Sequence, residues 1–167
     1  MIVVPGRFVF VSTPRTGSRS IAEVLLTHGW KQTCGHHTEP AIVMRENPRR
    51  SSPLPIYSVF RNPRDIIVSW YCRTKFAAKP SLEEFCKGGT ENPWMRPMHR
   101  YMDISDRAFN FDDGIEKIMK DMGVEPIGKI PHIGGSERME AEWTEEAERI
   151  ARLTWKIDFD YYEEMTT

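Results

Sequence analysis

The run Phe8-Val9-Phe10-Val11-Ser12-Thr13-Pro14-Arg15-Thr16-Gly17-Ser18-Arg19-Ser20-Ile21-Ala22-Glu23-Val24-Leu25 decides how this chain is read. Phe8 to Val11 is apolar, aromatic and β-branched, which is the composition of a buried strand. Residues 12 to 20 are small, polar or basic, and Ile21, Val24 and Leu25 then recur at helical spacing. The order is therefore strand, short turn, helix. The first turn of a helix presents unpaired backbone N–H groups and the positive end of the dipole, so such a junction suits an anion. Gly17 allows close backbone approach, Ser18 and Ser20 offer hydroxyls, and Arg15 and Arg19 bring charge with a planar fork. The turn is not a Walker A loop, which needs Gly-x-x-x-x-Gly-Lys-[Ser/Thr]. Here a single glycine is followed by Ser18, and the basic residue precedes it at Arg15.

A second stretch repeats the pattern. Pro55-Ile56-Tyr57-Ser58-Val59-Phe60 reads as a strand, Arg61-Asn62-Pro63-Arg64-Asp65 as a turn, and Ile66 onward as a helix to about Phe76, ahead of Lys79-Pro80. With both stretches in view, the sequence resembles the sulfotransferases that use 3′-phosphoadenosine-5′-phosphosulfate. Their 5′-phosphosulfate loop reads Pro-[Lys/Arg]-[Ser/Thr]-Gly-[Ser/Thr], and here Pro14-Arg15-Thr16-Gly17-Ser18 stands in that form. The arginine version looks most like the protein-tyrosine sulfotransferases and many bacterial members. Their 3′-phosphate element sets an Arg at a strand end and a Ser eight residues on, and Arg61 and Ser69 have that spacing. The likeness covers residues 7 to 30 and 55 to 76 well and 107 to 162 loosely, where Asp158-Phe159-Asp160-Tyr161-Tyr162 is similar to the family's usual close.

Length and composition set bounds. A chain of 167 residues suits one domain with a full core, taken here as a single domain over 1–167. Lys and Arg number 23 against 24 Asp and Glu, so no global field points to nucleic acid or to a membrane surface. The arginines are locally clustered, which suits a small anionic ligand. Cys34, Cys72 and Cys86 are odd in number and include no CxxC pair, which favours a reduced, cytoplasmic chain over a disulfide scaffold. No run approaches the length of a membrane span; since the Golgi members of the family carry such an anchor, the resemblance implies a soluble bacterial or viral form, or an excised catalytic domain.

Between the two motifs, Trp30 to Cys34 reads as a short strand, followed by Gly35-His36-His37-Thr38-Glu39 and a short helix over 40 to 47. In open α/β sheets ligands gather at the carboxyl ends of the strands, and a His or Glu there can act as a base near neutral pH. His36, His37 and Glu39 are the candidates, and spacing alone does not choose among them. Cys34, His36 and His37 lack a fourth ligand and the usual zinc spacing, so no metal site is expected. Residues 47 to 53, with Arg49 and Arg50, read as a loop. Ser81-Leu82-Glu83-Glu84 has the pattern of a capping box. Residues 87 to 106 show no period, and Trp94, Met95, His99, Arg100 and Tyr101 make them a candidate acceptor-facing surface. Arg107 to Phe111 reads as a strand, Asp112-Asp113 as a cap for a helix ending at Gly123, Ile127 to Ile130 as an edge segment, and Thr144 as the start of a helix to about Trp155. His132-Ile133-Gly134-Gly135-Ser136-Glu137-Arg138 only partly matches the Gly-rich loop with which larger family members close over the 3′-phosphate.

Pattern and resemblance together imply an α/β, three-layer fold: a mostly parallel sheet of four to five strands with helices on both faces, P-loop NTPase-like. The resemblance implies transfer of a sulfuryl group to an acceptor hydroxyl or amine on a carbohydrate, small alcohol or protein side chain, with no metal requirement. It implies that Arg15, Thr16, Gly17, Ser18, Arg19 and Ser20 hold the 5′-phosphosulfate. Arg61 and Ser69 would fix the 3′-phosphate, and one of His36, His37 and Glu39 would act as base. Two other classes remain open: a small P-loop kinase, and a noncatalytic protein that binds adenosine 3′,5′-bisphosphate or another nucleotide.

Overall fold

The computed structural model describes residues 1–35, 37–46, 54–73, 80–89, 95–131 and 141–167. Its fold is α/β, with an open four-stranded mixed sheet and, among the described residues, eight α-helices. The chain divides into two compact units, Met1–Phe60 with Arg100–Gly134, and Arg61–His99 with Gly135–Thr167.

The first unit holds the sheet. Strands β1 (Ile2–Val4), β2 (Phe8–Phe10), β3 (Ile56–Phe60) and β4 (Arg107–Asn110) lie in the order β1-β2-β3-β4. β2, β3 and β4 run parallel, and β1 pairs antiparallel with β2. Strand β1 is not foreseen in the sequence reading. It is joined to β2 by a reverse turn in which the Arg7 N–H donates to the Val4 carbonyl at 3.1 Å, with Pro5 and a left-handed Gly6 (φ 68°) at its centre. The expected strand over Trp30 to Cys34 reduces to one bridge between Ile2 and Gln32. The expected edge segment at Ile127 to Ile130 is not a strand.

Register puts Ile2, Val4, Phe8, Phe10, Tyr57, Val59 and Phe109 on one face of the sheet. Phe8 stacks on Tyr57 with centroids 4.6 Å apart, and Tyr57 meets Phe109 edge-on at 5.5 Å. Helix α1 (Ser18–Thr27) seats Ile21, Val24 and Leu25 on this face, and α6 (Ile115–Asp121) adds Ile118 and Met119. On the opposite face Ser58 meets Met102 and the Ser105 hydroxyl. Arg7 reaches the end of α6 and donates to the carbonyls of Met122 and Gly123 at 2.8 and 2.9 Å, which satisfies backbone acceptors that the helix itself leaves unpaired. The start of α6 differs from expectation. Asn110 caps a short 3-10 turn, Phe111–Asp113, and Gly114 then opens the helix, so Asp112 and Asp113 lie before it.

The second unit is helical: α3 (Pro63–Arg73), α4 (Leu82–Lys87), α7 (Glu145–Thr154) and α8 (Lys156–Thr166). Ser81 and Glu84 form the expected capping box, and the Thr144 hydroxyl accepts the Ala147 N–H at 3.0 Å. Its core gathers Ile67, Tyr71, Leu82, Phe85, Ile150 and Trp155. The Trp155 indole lies so close to Gly89 that a Cβ there would stand 2.1 Å from it. Helix α8 is not foreseen, because its sequence reads as a terminal motif and not as a period. Helix α5 (His99–Met102) falls in a stretch where the sequence shows no period. No helix among the described residues is long and apolar enough to cross a membrane.

Two measurements check this packing. Leu25 is fully buried in the first core, so Leu25→Ala should lower the unfolding free energy by about 2–5 kcal/mol in urea titrations. A loss below half a kcal/mol would contradict the placement of α1 on the sheet. In the second unit, burial, with the charge of Glu148 adding to it, pushes the Cys86 thiol up to about 11. Iodoacetamide at pH 8 should therefore alkylate the partly exposed Cys34 and Cys72 well before Cys86, as read by peptide mass mapping.

Candidate functional site

The loop from Val11 to Gly17 leaves the carboxyl end of β2 and enters α1. Its backbone is gathered on one acceptor, the Thr13 carbonyl, to which the Thr16 hydroxyl donates at 3.0 Å and the Ser18 hydroxyl at 2.7 Å. Ser12, Thr13, Thr16, Ser18 and Ser20 are all buried. The sequence reading counts Ser18 as a hydroxyl donor to an anion, but here that proton is used on Thr13. What the loop presents is its backbone N–H groups and its arginines. Arg15 and Gly17 both have left-handed backbone, at φ 64° and 72°. For Arg15 this is an uncommon conformation that carries strain, whereas Gly17 adopts it at little cost. Gly17 is also required by space: a Cβ would lie 2.0 Å from Phe111 Cε2, so the ring just after β4 packs directly against the loop.

Gly17 is the N-cap of α1, with no side-chain cap hydrogen bond and no acidic residue in the first turn. The positive end of the dipole is therefore not compensated by the helix's own side chains. The Thr13 hydroxyl is buried and has no hydrogen-bond partner, an arrangement that costs free energy unless something pairs with it.

The base candidates separate. His37, with left-handed backbone (φ 56°), lies with Nδ1 3.1 Å from the Ser12 carbonyl. A carbonyl only accepts, so Nδ1 carries the proton and Nε2 is the basic nitrogen. The His37 carbonyl receives the Tyr101 hydroxyl at 3.5 Å. The structure thus brings His37 to the loop that carries Arg15 to Ser20. Glu39 is exposed, and its carbonyl accepts the first N–H groups of α2 (Pro40–Glu46). His36 lies outside the described residues, as do Arg49, Arg50, Trp94 and His132. The expected acceptor-facing surface is corrected in part: Tyr101 is fully buried and Met95 nearly so, and both serve cores.

The second unit carries Arg61 and Ser69. Arg61 precedes α3, and its guanidinium pairs with Asp65 at 3.1 Å, one helical turn on. Its N–H points to Met98 Sδ at 3.5 Å. Ser69 is buried on α3. Arg64, which follows in the same turn, is committed to Glu148 at 2.7 Å and lies over the Trp143 ring. The unit also contains a constellation that the sequence reading did not assemble. Asp158, nearly fully buried, accepts the N–H groups of Met98 and His99 and faces His99 Nδ1 at 2.7 Å. The two residues are 59 positions apart, so no local pattern joins them.

With this geometry in hand, comparison with known proteins adds no relative: no protein-family model, no curated protein and no solved structure matches the chain.

The tight fit of Phe111 on Gly17 gives a test of the loop. Gly17→Ala must absorb both a left-handed alanine, at about 1–2 kcal/mol, and a steric clash. Its thermal unfolding should drop well below wild type, and adding Phe111→Ala should relieve the clash and bring the double-mutant loss below the sum of the single losses. Additive losses would show that the ring does not press on the loop.

Proposed function

We propose that this protein is a sulfotransferase using 3′-phosphoadenosine-5′-phosphosulfate, with a P-loop NTPase-like first βα unit. The observation that carries the reading is the junction at α1. A buried strand leads into Pro14-Arg15-Thr16-Gly17-Ser18, and the helix that follows has neither a side-chain cap nor an acid in its first turn. The residues present fit a phosphosulfate. The anionic group would lie on the backbone N–H groups of residues 16 to 19, since the Ser20 N–H is given to the Gly17 carbonyl at 3.0 Å; its charge would be met by Arg15 and Arg19, and the orphaned Thr13 hydroxyl adds an unmet polar group to the same loop.

The bound nucleotide supplies an activated sulfuryl group whose transfer is in-line and loose, so positioning and charge stabilisation do most of the work. Arg15 neutralises charge that grows on the leaving phosphate. His37, its tautomer set by the Ser12 carbonyl, takes the acceptor's proton at Nε2. The family resemblance assigns Arg61 and Ser69 to the 3′-phosphate. The acceptor is an alcohol or amine, on a carbohydrate, a small molecule or a protein side chain.

Thermal-shift titration decides the ligand. Adenosine 3′,5′-bisphosphate at a hundredfold excess over its dissociation constant should stabilise by about 2.7 kcal/mol, and AMP far less. Equal responses to the two would remove the 3′-phosphate claim, and a larger response to ATP would favour a kinase. With any working acceptor, Arg15→Ala should cut turnover by roughly a hundredfold or more, with a smaller effect on nucleotide binding. Arg15→Lys should keep much of the activity. Among single substitutions at His36, His37 and Glu39, the large loss should fall on His37→Ala, about a hundredfold or more in rate, with nucleotide affinity intact. An unchanged rate there would move the base elsewhere.

A further inference from the structure

His37 is held by groups of the first unit on more than one side. Its backbone is left-handed, a conformation that costs free energy at a residue other than glycine and persists where the surroundings fix it. Nδ1 lies 3.1 Å from the carbonyl of Ser12, in the loop that follows β2. The buried Thr38 hydroxyl donates to the Gly35 carbonyl at 2.5 Å, which bridges the chain on either side of His37. The His37 carbonyl receives the Tyr101 hydroxyl at 3.5 Å, the long end of hydrogen-bonding distance. Tyr101 is itself tied to the sheet. The Ser105 hydroxyl lies 2.7 Å from the Tyr101 carbonyl and 2.6 Å from the Ser58 hydroxyl on β3. A hydroxyl carries one proton and a carbonyl only accepts, so Ser105 donates to Tyr101 and accepts from Ser58. That bond outweighs the 3.9 Å contact from Ser58 to Met102 Sδ. Ser58 and Tyr101 are fully buried, so water does not compete for their groups.

We infer that Tyr101, steadied by Ser58 and Ser105, is a positioning residue for His37. The links run from β3 through Ser58, Ser105, Tyr101 and His37 to Ser12 beyond β2, so both ends rest on neighbouring parallel strands. They do not conduct a proton, because peptide carbonyls interrupt them at Tyr101 and at His37. What they fix is a position. A core asks for an aromatic ring at residue 101, and phenylalanine would supply it. The Tyr101 hydroxyl is directed instead at the carbonyl of a strained histidine. With its carbonyl held by Tyr101 and its Nδ1 by Ser12, the His37 ring keeps one orientation relative to the loop that carries Arg15. A base contributes fully only when its nitrogen is held within reach of the proton it takes. The bearing of Tyr101 on turnover rests on His37 being the base of the proposed sulfotransferase, and its bearing on the ring's geometry does not.

Tyr101→Phe keeps the ring and removes the hydroxyl alone. In the wild-type chain the imidazole nitrogen shifts of His37, read where the ring is neutral, should show the Nδ1-protonated tautomer that the Ser12 carbonyl requires. In Tyr101→Phe these signals should move toward the other tautomer and broaden, and Ser105→Ala should move them the same way by a smaller amount. With a working acceptor, Tyr101→Phe should lower kcat by roughly fivefold, the loss expected for one neutral hydrogen bond, while adenosine 3′,5′-bisphosphate stabilises the variant as it does wild type. The other tautomer in wild type, or unmoved His37 signals in a folded Tyr101→Phe, overturns the inference. Moved signals with wild-type kcat, where His37→Ala is crippled, overturn it as well. If His37→Ala keeps full turnover, the reading of His37 as base fails, and the nitrogen shifts alone decide whether Tyr101 holds the ring. If Tyr101→Phe does not fold, Ser105→Ala decides by the same measurements.

Discussion

The first unit depends on the Thr13 carbonyl. Where a parallel strand ends and a helix begins, the chain must reverse within a few residues while its backbone polar groups stay paired. Here one oxygen collects two hydroxyl protons, from Thr16 and Ser18, and ties both sides of the turn to the end of β2. The consequence is chemical as well as mechanical. Side chains of the anion-binding type are turned inward as struts, so the outward chemistry falls to backbone N–H groups and guanidinium groups. The backbone N–H groups are fixed by the loop itself, whereas a guanidinium is rigid only in its planar fork and reaches its partner on a flexible stem.

The same constraint explains why Gly17 carries two burdens. A left-handed residue at the N-cap brings the chain into α1, and the absent Cβ leaves room for the Phe111 ring. The loop is thus held by the helix it starts on one side and by the end of β4 on the other. Arg15 has left-handed backbone without glycine's freedom. A strained, charged residue beside an unpaired buried hydroxyl is the kind of local conflict that folded chains keep where function needs it.

How much of this was legible in the sequence depends on how local each signal is. The β2–turn–α1 and β3–turn–α3 junctions are visible because a short β-branched run, a turn and a helical period lie side by side. The capping residues Ser81 and Thr144 are visible for the same reason. Strand β1 was missed because three residues carry no period, and its place is fixed by pairing with Phe8, Val9 and Phe10. Helix α5 was missed because it follows a stretch with no period and spans four residues. Asp112 and Asp113 looked like caps, but Asn110 and Gly114 take the two junctions around them. The His37–Ser12 contact was half legible: a histidine beyond the first βα unit was expected near the strand ends, but its neighbour His36 could not be set aside by spacing. The His99–Asp158 pair had no signal at all, since partners 59 residues apart meet only through tertiary packing.

The two histidines make a useful physical contrast. Each has Nδ1 turned to a protein oxygen, and in each the tautomer is thereby set. The oxygen on His37 belongs to a peptide carbonyl, a dipole that orients the ring and adds little toward a positive charge. The oxygen on His99 belongs to a buried carboxylate already held by two N–H groups, so a protonated ring there meets a full opposite charge in a medium of low polarity. An imidazole on a carbonyl suits a base that gives up its proton readily once the acceptor has reacted. An imidazole on a carboxylate suits one that must hold the proton while charge persists nearby.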